Sequence, residues 1–282
     1  MLKSKSKNTL LLFHGYIAGA LFCAATTAEP AAELPLWEAG IIGMNINQLA
    51  YPGSSQQVQR SFFLPYLIYR GDLLRADRGT VGLRAYKSDT LELDVGFAAA
   101  LGSSETDVPV RDGMPELGTL VEAGPRLRWA ISDNIWGSRV RLVMPVRGVF
   151  DIEDSMRFSG VSIEPALFAD VITANNLAYS FGISALFGSE KLTDRFYQVT
   201  EQFVTSVRPE FDAKPGLIAL RASGAISKKF SSKWRGFGFA RYETVTSAKN
   251  QHSPLVVKNA GWSVGFGVTY IWATSTQTVT GW

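Results

Sequence analysis

Val264-Gly265-Phe266-Gly267-Val268-Thr269-Tyr270-Ile271-Trp272 sets a large apolar or aromatic side chain at every second residue, with mostly small or polar ones between. Side chains of an extended chain alternate between two faces, so this stretch reads as a strand with two unlike faces. The rhythm recurs upstream. Leu91, Leu93, Val95, Phe97, Ala99 and Leu101 alternate with Glu92, Asp94, Gly96 and Ala98. Val121, Ala123, Leu127, Trp129 and Ile131 alternate with Glu122, Gly124, Arg126 and Arg128. Val140, Leu142, Met144 and Val146 alternate with Arg139, Arg141 and Arg147. Leu177, Tyr179, Phe181, Ile183, Ala185 and Phe187 alternate with Ala178, Ser180, Gly182 and Ser184.

Most of these runs reach the roughly 9–11 residues that a tilted membrane strand requires. A soluble sandwich would turn the apolar face to its core and the charged face to water. An outer-membrane barrel turns the same faces to lipid and lumen. Strand length and aromatic strand ends favour the barrel. The strands read as 37–47, 60–70, 72–76, 80–87, 89–101, 118–132, 135–150, 156–172, 176–189, 214–230, 233–247 and 258–272. Long connections (48–59, 102–117, 190–213, 248–257) face one end. Tight turns at Gly71, Ser88, Asp133-Asn134, 173–175 and Ser231-Ser232 face the other. The expectation is an all-β, transmembrane, antiparallel up-and-down β-barrel of twelve strands with its tight turns and both termini in the periplasm. Ten strands is the alternative, because 72–87 is split at Asp77-Arg78-Gly79 and its first half is too short to span.

The N-terminus reads as a secretory leader over 1–28. Lys3, Lys5 and Lys7 precede the mostly apolar Leu10 to Phe22, and Thr26-Thr27-Ala28 supplies small residues before Glu29. Phe22 is too bulky for Cys23 to be a lipidation site. Whole-chain counts of 28 basic and 25 acidic residues give +3. Without the three leader lysines the two signs balance, and a basic bias toward nucleic acid disappears. Cys23 and His14 leave with the leader, so His252 is the one histidine of the mature chain, which has no cysteine. The remaining organisation is a periplasmic segment 29–36, the barrel 37–272 and a tail 273–282.

Several motifs, in order, resemble the MipA/OmpV family of outer-membrane proteins, the MltA-interacting proteins. These are Tyr51-Pro52-Gly53, Pro65-Tyr66, Tyr69-Arg70-Gly71, Ser253-Pro254-Leu255-Val256 and Gly265-Phe266-Gly267-Val268-Thr269-Tyr270. The resemblance implies an outer-membrane β-barrel of a Gram-negative bacterium. It also implies a scaffold, as the family's named member brings a lytic murein transglycosylase together with a bifunctional murein synthase. Other members are described as porin-like or adhesive. Barrels of this kind usually end on an aromatic residue, whereas ten residues follow Trp272 here.

Parity places a charge cluster in the lumen. A two-residue turn at Asp133-Asn134 sets Arg128 opposite Arg139 and Arg126 opposite Arg141. Like charges directly opposed need compensation. Glu92 and Asp94 on one side, and Glu164 and Asp170 on the other, lie on the polar parity, with Glu122 and Arg147 extending the network. One reading is a self-neutralising network that rigidifies the barrel. The other is a constriction for anions in a small-solute channel, since rings of arginine favour anions.

Catalytic chemistry has little support. His252-Ser253 supplies two members of a hydrolase site, but no carboxylate nearby orients the histidine, leaving an outer-membrane lipid hydrolase as a remote alternative. Asp151, Glu153 and Asp154 are the densest acidic group, yet lack the glycine and distal glutamate of an EF-hand loop. Lys228, Lys229 and Lys233 cluster at a tight turn, where anionic headgroups or murein partners are candidates and solvation is the default. The expectation is a non-enzymatic barrel with no catalytic residue, cofactor or metal. Its partners would be membrane lipid and murein enzymes, with no nucleic acid among them.

Overall fold

A computed structural model describes residues 33–280 apart from 71–73, 78–79, 101–107, 136, 174 and 176. The expected leader 1–28 lies outside the described residues, as do 29–32 and 281–282. The strands are β1 (Glu33–Pro35), β2 (Trp37–Leu49), β3 (Gln57–Arg70), β4 (Leu74–Asp77), β5 (Thr80–Lys87), β6 (Leu91–Ala100), β7 (Leu120–Ile135) and β8 (Ser138–Asp151). They continue as β9 (Arg157–Ile163), β10 (Ala166–Ile172) and β11 (Leu177–Gly188), followed by helix α1 (Glu190–Tyr197). Then come β12 (Gly216–Lys229), β13 (Trp234–Thr244), β14 (Ala260–Thr274) and β15 (Thr278–Thr280).

Every pairing is antiparallel. From β2 the ladder runs strand by strand to β8, crosses to β10, continues through β14 and returns to β2. The strands therefore follow one another around a ring, although β3 meets β4 over only two residue pairs, Tyr69–Ala76 and Arg70–Arg75. β9 and β10 act as one strand broken at Glu164-Pro165, since both pair with β8 on one side and β11 on the other. β4, with four residues, is too short to cross a membrane by itself. β14 runs past Trp272 to Thr274, and the tail then forms β15, which pairs with β1.

Exposure separates the two architectures that share the alternating pattern. On β14 the aromatic Trp262, Phe266 and Trp272 are 56%, 66% and 57% exposed, while Ser263, Thr269 and Ile271 between them are buried. Phe63, Phe181 and Ile183 are also strongly exposed on their strands. Such an apolar outer wall around a polar interior is the inverse of a soluble sandwich and the pattern of a membrane barrel. Two aromatic cross-strand pairs bracket this wall, Trp234–Tyr270 and Tyr242–Trp262, with ring centroids 4.7 and 5.2 Å apart. Eight residues separate them along β13, about 26 Å at ~3.3 Å per residue, comparable before tilt with an apolar band of ~25 Å.

The expected hairpin register between β7 and β8 is not the one found. Ile135 pairs with Ser138, so the strands turn beyond Ile135 rather than at Asp133-Asn134. Gly137 adopts the left-handed φ of 77° that the tight turn needs, and neither Asp133 nor Asn134 is a glycine. Asn134 instead stays in β7 and accepts the Gly137 N–H on its side chain at 3.0 Å. Arg128 consequently faces Val143, Arg126 faces Pro145 and Arg141 faces Ala130. The displacement is even in residue count, so the inward parity survives while the direct opposition of arginines is relieved.

Candidate functional site

Three layers of side chains fill the interior from the tight-turn end upward. At the bottom Glu38, 2% exposed, accepts from Arg70 at 2.6 Å and Arg235 at 2.7 Å. Arg235 also donates to the Tyr66 hydroxyl at 2.9 Å. This cluster joins the beginning of the ring to its end, because Glu38 opens β2 while Arg235 lies on β13.

The middle layer holds the residues that parity assigned to the lumen. Arg126 grips Asp94 with two hydrogen bonds, 2.9 and 2.6 Å long. Arg128 lies 3.5 Å from Asp94 and 3.8 Å from Glu92. Arg141 donates to Asp170 at 2.6 Å, and its guanidinium sits 4.4 Å from the centre of the Phe168 ring. Arg139 stands across from Asp170 in the β8–β10 ladder, and Asp170 also accepts the Ser180 hydroxyl at 2.7 Å. A buried carboxylate with a bidentate arginine and further donors is the geometry in which attraction offsets desolvation.

The upper layer extends the ties across the ring. Arg147 reaches Glu122 at 3.2 Å. Glu164 is not part of the four-arginine group. It sits at the break before β10 and accepts from Arg221 at 2.9 Å and Ser184 at 2.9 Å. Arg221 also meets Glu243, directly opposite on β13, at 2.5 Å. Glu38, Arg70, Arg221, Arg235 and Glu243 were missed from the sequence. On β13 the cause is visible: Phe237 and Phe239 point inward, so the apolar parity marks the wrong face. Each lies opposite a glycine of β14, Gly267 and Gly265, whose missing side chain leaves room for the ring.

Above the charges the long connections fold into a second, apolar core. Tyr51, Leu117, Leu120, Val149, Leu186, Leu192, Tyr197, Ile218 and Val245 are all buried in it. The Tyr-Pro-Gly and Ser-Pro-Leu-Val motifs meet here. Tyr51 donates to the Leu255 carbonyl at 2.6 Å, Tyr197 to the Pro52 carbonyl at 2.9 Å, and Ser253 to the Tyr197 carbonyl at 2.8 Å. Gly53, at φ 92°, accepts the Val257 and Lys258 N–H groups at 2.8 and 3.0 Å. Burial pushes the Tyr51 phenol up to about 12 and the Tyr197 phenol well above its usual range. Between this cap and the upper charge layer is a void of about 70 Å³, walled by Tyr51, Leu186, Glu122, Arg221 and Glu243 among others. It has room for a few waters and for no solute of ordinary size.

The remaining sequence candidates disperse. The Ser253 hydroxyl is spent on Tyr197 rather than on His252, whose side chain is exposed. Asp151 pairs with Arg195, Glu153 accepts from Thr119, and Asp154 pairs with Arg157, so the three carboxylates diverge. Lys228, Lys229 and Lys233 stand exposed around the β12–β13 turn.

Residues 42–272 match the family described as MltA-interacting protein MipA. The chain belongs to this family. It is accordingly an outer-membrane β-barrel, as the sequence resemblance implied. A search of curated proteins returns no significant match. Among solved structures, it is similar to a bacterial polysaccharide outer membrane secretin (8% identity, TM-score 0.37, covering 84% of this chain and 99% of that one). It is also similar to a Pseudomonas aeruginosa FadL homologue (12% identity, TM-score 0.36, 83% and 67% covered). An outer membrane channel from Pseudomonas putida shares 8% identity at TM-score 0.37, with 88% of this chain and all of that one covered.

Proposed function

We propose that this family member is a barrel whose lumen is filled by paired charges and which serves as an outer-membrane platform for murein enzymes, not a solute channel. The observation that carries the reading is the stack of a loop core over cross-tied charge layers, with about 70 Å³ of void between them. An anion constriction needs arginines facing an open path, whereas Arg126, Arg141, Arg147 and Arg221 each hold a carboxylate. The family description supplies the partner class, a lytic murein transglycosylase. A murein synthase on the same platform would complete the assembly.

With termini and tight turns in the periplasm, the face offered to such partners carries Lys228, Lys229 and Lys233 around the 65% exposed Phe230. Cations flanking an exposed aromatic suit an acidic protein surface with an apolar pocket. The test joins two measurements on the purified full barrel. In planar bilayers it should show no sustained single-channel steps. From envelopes it should retain a lytic transglycosylase, and the charge reversals Lys228→Glu, Lys229→Glu and Lys233→Glu together should release it. Stable conductance steps, or failure of the barrel to retain any murein enzyme, would overturn the proposal.

A further inference from the structure

Beside α1, on the outer face of the loop core, lies a groove of about 440 Å³ that the platform reading does not use. Its wall includes Arg111, Phe158, Lys191, Asp194, Arg195 and Gln198. Arg111 is the unusual member. It is 6% exposed, yet its guanidinium donates only to carbonyls, those of Phe196 at 3.3 Å and Pro115 at 3.2 Å, and lies 5.9 Å from the Tyr51 ring centre. No carboxylate among the described residues pairs with it.

Its charged surroundings are mixed: the groove wall also carries the carboxylates of Glu116 and Asp194, and Arg157 in the same wall pairs with Asp154 at 2.9 Å. Arg195 shares its charge with Asp151, while the buried Arg208 donates to the carbonyls of Phe203, Val110 and Asp112. Burial, reinforced by Arg195 and Arg208, pulls the Arg111 guanidinium down to about 10. A buried cation without a counter-charge costs free energy that an arriving anion would offset. The exposed Lys191 sits at the rim, 5.4 Å from the centre of the Phe158 ring.

The rest of the wall limits the kind of anion. Phe158, 42% exposed, gives an apolar surface beside the Lys191 ammonium that lies over its ring, while the Asp194 carboxylate and the Gln198 amide N–H groups suit neighbouring hydroxyls, the Gln198 oxygen already accepting the Ala213 N–H at 2.7 Å. An aromatic face beside carboxylate and amide groups fits a ring bearing several hydroxyls. We infer that this groove binds an anionic saccharide, with its phosphate or carboxylate directed at Arg111 and Lys191 and its ring against Phe158. The chemistry is shared by free sugar acids or sugar phosphates and by the phosphorylated core of a membrane-anchored lipopolysaccharide.

The experiment uses the full barrel and has two arms. In detergent, calorimetry measures glucuronate and glucose 6-phosphate, with glucose as the neutral comparison. In nanodiscs, retention of lipopolysaccharide is compared with that of phospholipid alone. Saturable binding of the anionic sugars but not glucose supports a soluble ligand. Preferential retention of lipopolysaccharide supports the anchored one. In either case Lys191→Gln should weaken binding about fivefold, and raised salt should do the same. Arg111→Gln should weaken it about tenfold or more, provided near-ultraviolet circular dichroism shows the loop core intact. Equal binding of glucose, no saturable binding in either arm, or an unchanged affinity in Lys191→Gln would overturn the inference. None of these readouts depends on the murein enzymes.

Discussion

Asp94 and Arg126 stand directly opposite one another on β6 and β7, and their side chains close a two-pronged pair of 2.9 and 2.6 Å with less than a tenth of either exposed. Arg128, 3.5 Å away, leans on the same carboxylate. Asp94→Asn therefore takes the two-pronged carboxylate from Arg126, leaves Arg128 to Glu92, and should cost about 3–5 kcal/mol. Exchange of both partners in Asp94→Leu/Arg126→Leu should cost far less, because no lone charge remains. Urea midpoints of the refolded barrel would compare them; a harmless Asp94→Asn refutes the view that these ties hold the ring.

Strand contact makes a separate claim at Gly124. A Cβ built there lies 2.1 Å from the Val146 carbonyl oxygen, a backbone atom that cannot step aside. Gly124→Ala should destabilise the barrel by about 1–3 kcal/mol through forced separation of β7 and β8. Gly96→Ala is the internal comparison, since its nearest neighbour is the Arg126 side chain at 3.4 Å, an ordinary contact distance. Comparable losses at the two glycines in the same urea series would refute the steric account.

Alkaline titration reports on the cap. Tyr51 has a folded pKa of about 12, above the unfolded value near 10, because burial favours the neutral phenol. The sign follows from that direction: the stabilisation is complete below pH 10 and is lost as pH rises from 10 through 12. Absorbance at 295 nm should show a late-ionising tyrosine fraction, and Tyr51→Phe should remove one late step. If every tyrosine of the folded barrel ionised near pH 10, the cap would not be the dry core described.

Ser253 offers a test of the cap's hydrogen bonding. Its hydroxyl donates to Tyr197 and accepts the Leu255 N–H at 3.2 Å. Ser253→Ala leaves both groups without this partner in a buried site and should cost about 1–3 kcal/mol locally. Limited proteolysis would read this as faster cleavage between 189 and 215, with the transmembrane strands unaffected. Unchanged cleavage would mean that apolar packing alone holds the loops.

The legibility of the fold followed the chemistry of each face. β14 could be read because Trp262, Phe266 and Trp272 face out while Gly265, Gly267 and Thr269 face in. β13 could not, because Phe237 and Phe239 fill the space above those glycines and leave Gly236 and Gly238 on the outer parity. Arg126, Arg128, Arg139 and Arg141 were found by parity, which a displacement of even length preserves, while their partners depended on where Gly137 placed the turn. The loop core had no periodic signal at all. Tyr51, Tyr197 and Ser253 come together from three distant connections, through contacts that local spacing does not encode.

Glu33–Pro35 lies alongside Thr278–Thr280, so the two ends of the described chain leave the ring side by side. The order of strands around the wall is then independent of which strand is made first. A gene spliced head to tail there, and opened instead at the exposed Ser231-Ser232 turn, would encode a rotated polypeptide with every neighbour retained.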